Sequence, residues 1–82
     1  MAAGKALTAT FVRNIKKPGK YFDASRTGLF LRIDKMDRKQ WVQRIVIGGK
    51  RREIGLGGYP LVTLAMAREQ ALDNKRSVYM GG

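Results

Sequence analysis

The sequence contains no cysteine and no histidine. Without cysteine there is no disulfide and no thiolate metal site. Without histidine as well, zinc would have only carboxylates to hold it, a donor set that zinc sites rarely use. No metal and no cofactor are expected. Acidic residues are scarce too, and the first of the six is Asp23. They are scattered along the chain and form no acid–base pair, which argues against an enzyme. No apolar run is long enough to cross a bilayer, so no membrane partner is expected. The 82 residues suffice for one domain with a thin core, near the lower limit for folding without staples.

What is abundant is positive charge. Seventeen Lys and Arg against six Asp and Glu leave a net charge of +11. Such a surface attracts polyanions, nucleic acid first among them. The charge is uneven. Residues 1–62 carry fourteen basic and four acidic side chains; residues 63–82 carry three and two. The polyanion surface is therefore expected before residue 63.

Residues 1–6 read as a disordered tail. The acid-free, Arg- and Lys-bearing start before Asp23 also resembles an organellar transit peptide, but Pro18-Gly19 leads into folded-looking sequence with no processing signal. Thr8 is a natural N-cap for a short helix from Ala9 to Ile15, with Phe11, Val12 and Ile15 on its apolar side. Lys16-Lys17-Pro18-Gly19 ends it. Three strand-like runs follow: Gly28–Asp34, Gln40–Ile47 and Lys50–Leu56, the last two joined by Gly48-Gly49, a two-residue turn signal. Gly57-Gly58-Tyr59-Pro60 reads as a turn. Thr63 is an N-cap for a second helix from Leu64 to about Met80, closed by Gly81-Gly82. Its expected apolar face holds Leu64, Ala67, Ala71, Leu72, Val78 and Tyr79. The fold class is α+β: a three-stranded antiparallel sheet, one face covered by the C-terminal helix, plus a short N-terminal helix.

The turn sets a register. With Ile47 opposite Lys50, the pairs Trp41–Leu56, Gln43–Ile54 and Ile45–Arg52 point one way. Val42–Gly55, Arg44–Glu53 and Val46–Arg51 point the other. Trp41, Ile45, Ile54 and Leu56 then join Leu29, Leu31 and Ile33 under the helix, and Trp41 is a core residue. The other face gathers Phe30, Arg32, Arg44 and Arg51. Phe30 is expected to be its exposed aromatic. An exposed Arg44–Glu53 pair contributes only ~0.2–1 kcal/mol and leaves Arg44 free to contact DNA. Lys35, Arg38, Lys39, Lys50 and Arg52 are expected at strand ends, holding phosphates. Arg68 falls in the apolar stripe of its helix and reads as structural, its stem buried and its head hydrogen-bonded.

A sheet with one covered and one basic face suits the DNA major groove, and arginine suits guanine O6 and N7 or a phosphate. A non-specific nucleic-acid or RNA-binding module is the alternative. RNA readers usually expose several stacking aromatics, which this face lacks. A protein-docking role for the second helix, near Arg76 and Met80, is a further rival.

The ordered landmarks are Leu7-Thr8, Tyr21 and Asp23, Gly28-Leu29-x-Leu31-Arg32-Ile33, Lys39-x-Trp41-x-x-Arg44, Gly49-Lys50-Arg51, Leu56-Gly57-x-Tyr59-Pro60 and Leu64-Ala65-x-Ala67-Arg68. Together the chain from residue 7 to about 80 resembles the N-terminal arm-type DNA-binding domain of prophage integrases, which are tyrosine recombinases. The resemblance implies a three-stranded sheet packed on a helix that binds short arm-type attachment sites on duplex DNA. It implies a following core-binding and a catalytic domain, with residues 81–82 opening the linker to them. Tyr21, Tyr59 and Tyr79 are not the family's nucleophile, which belongs to the catalytic domain. Accessory recombination proteins, a monomeric free domain and a place in the bacterial cytoplasm at the nucleoid go with that reading. Two departures stand out: Val46 occupies a place on the binding face where a polar or aromatic residue is expected, and Glu53 opposes Arg44.

Overall fold

The computed structural model describes residues 7–79. In chain order they form α1 (Ala9–Asn14), β1 (Gly19–Phe22), β2 (Leu29–Ile33), β3 (Lys39–Ile47), β4 (Lys50–Gly58) and α2 (Leu64–Tyr79). The tail 1–6, Met80 and the Gly81-Gly82 terminator lie outside the described residues.

The sheet is antiparallel in the order β1-β2-β3-β4, so it has four strands rather than the expected three. The additional strand is Gly19–Phe22, which pairs Tyr21 with Leu31 and Phe22 with Phe30. Four residues are too few to display alternation. The strand's faces are nonetheless distinct. Tyr21 turns toward α1, where its ring meets Phe11 edge-on at 5.6 Å and its hydroxyl donates to Lys17 O at 2.7 Å. Lys20 and Phe22 turn the other way.

The register from Ile47–Lys50 to Val42–Gly55 is the one the glycine turn dictates. Gly48 and Gly49 have φ of +58° and +80°, the pair of left-handed residues that a tight hairpin turn requires. Beyond Val42 the register slips, and Trp41 faces Gly57, not Leu56. The extra residue lets the chain bend toward α2. Val62 then closes over Trp41, whose indole N–H donates to Val62 O at 2.7 Å. Leu56 still reaches the core.

The core lies between the sheet and α2. Leu29, Leu31, Ile33, Trp41 and Leu56 meet Leu64, Ala67 and Ala71, with Leu7 and Val12 closing one end. Each fully buried leucine contributes ~1.5–3 kcal/mol. Leu72, expected in this face, is exposed. The inward stripe runs Leu64, Ala67, Ala71, Asn74, Val78, and Leu72 lies about 100° round from Ala71. Asn74 is inward because a polar pin needs it. Buried Gln43 donates to Thr27 O and Ala71 O at 2.8 and 2.9 Å and accepts from Asn74 Nδ2 at 3.0 Å. Both helices carry their expected caps: Thr8 accepts from Phe11 N, and Thr63 from Met66 N. No described helix is long and apolar enough to cross a membrane.

Candidate nucleic-acid interface

Among the described residues, no helix covers the second face of the sheet. Cross-strand pairing places Lys20, Arg32 and Gln40 in one row and Phe22, Phe30, Val42 and Gly55 in the next. Arg44 with Glu53, then Val46 with Arg51, complete it. Four cations and one carboxylate thus share a face whose floor is apolar.

Phe30 lies on this face, as alternation requires, but it is wholly buried. The expectation that it is the exposed aromatic is corrected. The unforeseen strand β1 brings Phe22 across it, ring centroids 4.7 Å apart, with Lys20 Nζ 5.5 Å from its centre. Phe22, 45% exposed, takes the place foreseen for Phe30.

The two rings form a shelf for Arg44. Its guanidinium carbon lies 5.4 Å from the Phe22 ring centre and 5.8 Å from that of Phe30. Such cation–π contacts are worth about 0.5–1 kcal/mol at exposed sites. Arg44 Nη2 also meets Glu53 Oε2 at 3.2 Å, and Lys20 Nζ reaches the same oxygen at 4.0 Å. Glu53 therefore steadies two cations and leaves the fork of Arg44 with unused donors. Arg32 is held by Gln40 Oε1 at 2.9 Å.

The remaining residues foreseen as DNA contacts are dispersed. Arg51 is on the open face. Lys50 and Arg52 are exposed on the opposite side, Arg52 opposite Ile45. Lys35 and Arg38 occupy the β2–β3 loop, beyond one end of the sheet. Asp34 shapes that loop by accepting from the amides of Met36 and Arg38 at 2.8 and 3.0 Å. The hydrogen bond donated by the Arg38 backbone N–H holds the Asp34 carboxyl below the ordinary carboxylate range.

Lys39 is at a strand end, as expected. It opens β3 and points to the helix side, where Nζ donates to Val12 O and Arg13 O at 2.8 and 3.0 Å. A cation at the last carbonyls of a helix neutralises acceptors that the helix leaves unpaired. Lys39→Met should therefore lower stability by about 1–2 kcal/mol. It should change duplex affinity less than Arg44→Ala does. Thermal unfolding and DNA titration of the two variants check this, and a larger binding loss for Lys39→Met would contradict it.

Sequence reasoning missed Lys20 and Phe22 for want of β1. It also missed Arg26 and Lys75. These two line a cleft of about 390 Å³ at the exposed edge of β3, together with Gly28, Arg44 and Val46. Only the fold brings a loop residue and an α2 residue to that edge. Among the described residues no cluster of three potential metal ligands exists.

Comparison with known proteins decides the family. The model of a family described as an arm DNA-binding domain matches residues 7–82. This chain belongs to that family. An integrase of Shigella phage Sf6 and the prophage integrase IntS of Escherichia coli (strain K12) are each 33% identical to the arm domain over 66 residues. That stretch is 80% of this chain but 17% of either relative. DNA is thus the partner class of this arm domain.

Proposed function

We propose that this arm domain reads a duplex arm-type site by laying the open face of its sheet in the major groove. The observation that carries the reading is the Arg44 guanidinium, shelved on Phe22 and Phe30 and steadied by Glu53, at the centre of an uncovered cationic face. A fork held in place loses little freedom on contacting guanine O6 and N7. Arg32 is the second base reader. Lys20 and Arg51 on the face, Lys35 and Arg38 in the loop, and Arg26 and Lys75 at the β3 edge hold phosphates. Lys50 and Arg52 add to the long-range field rather than to contacts. The parent protein is a site-specific integrase of the tyrosine recombinase class, and this domain serves its integration and excision reactions at the bacterial nucleoid, aided by accessory recombination proteins. The free domain acts as a monomer that supplies recognition and no chemistry.

The test is duplex binding over a salt series, using a preferred duplex selected from a random pool and an unselected one. A log–log slope near −5 is expected, for about six neutralised phosphates. Arg44→Ala should weaken the preferred duplex by about 10- to 100-fold, the equivalent of one good bidentate base contact, and the unselected one much less. Its unfolding temperature should stay near that of the parent. If Arg44→Ala and Arg32→Ala both bind like the parent, the sheet does not face the DNA.

A further inference from the structure

A glycine inside a strand weakens it, so it calls for a reason. Gly55 lies within β4, opposite Val42 on the open face. Its φ is not left-handed. A Cβ built on it would meet nothing within 4 Å. Neither the backbone nor the packing of this chain requires glycine there. The nearby bulge does not require it either, because that demand falls on Gly57. Gly57 has a φ of +118°, and its Cβ would stand 2.5 Å from Val62 Cγ2. Strand glycines without an internal reason mark places where another molecule comes close.

The bare position opens onto a notch of about 310 Å³, lined by Arg32, Gln40, Val42, Glu53 and Gly55. Val42, opposite Gly55 on the open face, supplies the apolar lining of the notch. At its rim the Gln40 carbonyl oxygen is occupied by Arg32 Nη2 at 2.9 Å, which leaves the Gln40 amide N–H groups as donors. Glu53 is already engaged by Arg44 and Lys20. The notch therefore offers an apolar seat beside a free donor.

We infer that this notch receives the major-groove edge of a thymine, the C5-methyl group seated over Val42 and Gly55 and O4 accepting from the Gln40 amide. In the major groove thymine presents a methyl group and an acceptor side by side. Cytosine presents a donor where Gln40 also donates, and it has no methyl group. The inference rests on the major-groove reading above. It makes Gly55 a specificity-determining residue whose role is to have no side chain.

The experiment takes the duplex selected from the random pool and replaces each thymine in turn by deoxyuridine, which removes only the methyl group. At one or more positions the parent domain should bind about three- to tenfold more weakly, as expected for one buried methyl. Gly55→Val fills the seat and Gly55→Ala fills it in part. Both should unfold at or above the parent temperature, because a Cβ there meets open space and alanine and valine each lose less backbone freedom in a strand than glycine. Both should bind the thymine duplex more weakly, and Gly55→Val should no longer distinguish thymine from deoxyuridine at that position. Deoxyuridine without effect at any position, in a duplex whose binding Arg44→Ala impairs, would overturn the notch and leave the sheet reading standing. An undiminished methyl effect in both glycine variants would do the same. If no duplex is preferred, or Arg44→Ala binds it unchanged, the sheet reading fails and the notch falls with it.

Discussion

Gly28→Ala is expected to remove most of the stability of the domain. Gly28 precedes β2 with a φ of +87°, where a non-glycine residue costs about 1–2 kcal/mol. Its Cβ would stand 1.9 Å from the carbonyl oxygen of Arg44. That oxygen belongs to the backbone of β3, so no rotamer change relieves the overlap. The two chains must part, and the bond from Arg44 N to Gly28 O at 2.9 Å opens with them. Next to it, Gln43 would lose its hold on Thr27 O. A total of about 3–5 kcal/mol follows, a large share of what a domain of this size possesses. Gly48→Ala is the internal control. Its φ is also left-handed, at +58°, but its Cβ meets nothing within 4 Å, so only the conformational penalty applies. Urea unfolding of both variants separates crowding from backbone strain. A Gly28→Ala midpoint as close to the parent as that of Gly48→Ala would show that the strands do not approach so closely.

The residues that were legible in the sequence are those whose role is local. Gly48-Gly49 dictated the hairpin and its register, Thr8 and Thr63 dictated the helix starts, and alternation sorted Arg32, Arg44 and Arg51 onto one face. Trp41 as core and Arg68 as a hydrogen-bonded strut also followed from pattern alone. Features that depend on a third element were not legible. β1 is too short to show a period, and with it went the shelf of Phe22 and the burial of Phe30. Lys39 looks like any strand-end lysine until α1 is folded beside it. The slip at Trp41 arises because Val62 must close over the indole, a contact 21 residues away. Arg26 and Lys75 are 49 residues apart in the chain and meet only through the packing of α2 on the sheet.

Arg68→Ala should destabilise the domain at neutral pH and lose much of that effect in acid. Asp23 is the reason. Its side chain is only 1% exposed. Burial pushes its carboxyl pKa up, but hydrogen bonds from Arg68 and the Leu7 amide outweigh burial and take it down to about 2. Arg68 Nε and Nη2 grip the two carboxylate oxygens at 3.2 and 2.9 Å, while Nη2 also donates to Leu7 O at 2.7 Å. The clasp fastens the start of the chain and the end of β1 to α2. A carboxyl that is more acidic in the folded state than its ordinary 3.8 stabilises the fold above that value. The contribution, about 2 kcal/mol, is lost as the pH falls from about 4 toward 2. Without Arg68 the buried carboxylate retains its burial penalty and loses its main donors. Removing one partner of a buried pair costs about 3–5 kcal/mol, and the 39% exposure of Arg68 points to the lower end. Protonation of Asp23 relieves that penalty, so the gap between parent and variant should narrow between pH 5 and about pH 3. Asp23→Asn combined with Arg68→Met should be milder at pH 7 than Arg68→Ala alone, since no charge is stranded. The measurement is chemical unfolding of the parent and both variants at several pH values. A parent–variant gap that stays constant down to pH 3 would mean that Arg68 acts through packing of its stem and not through the charge of Asp23.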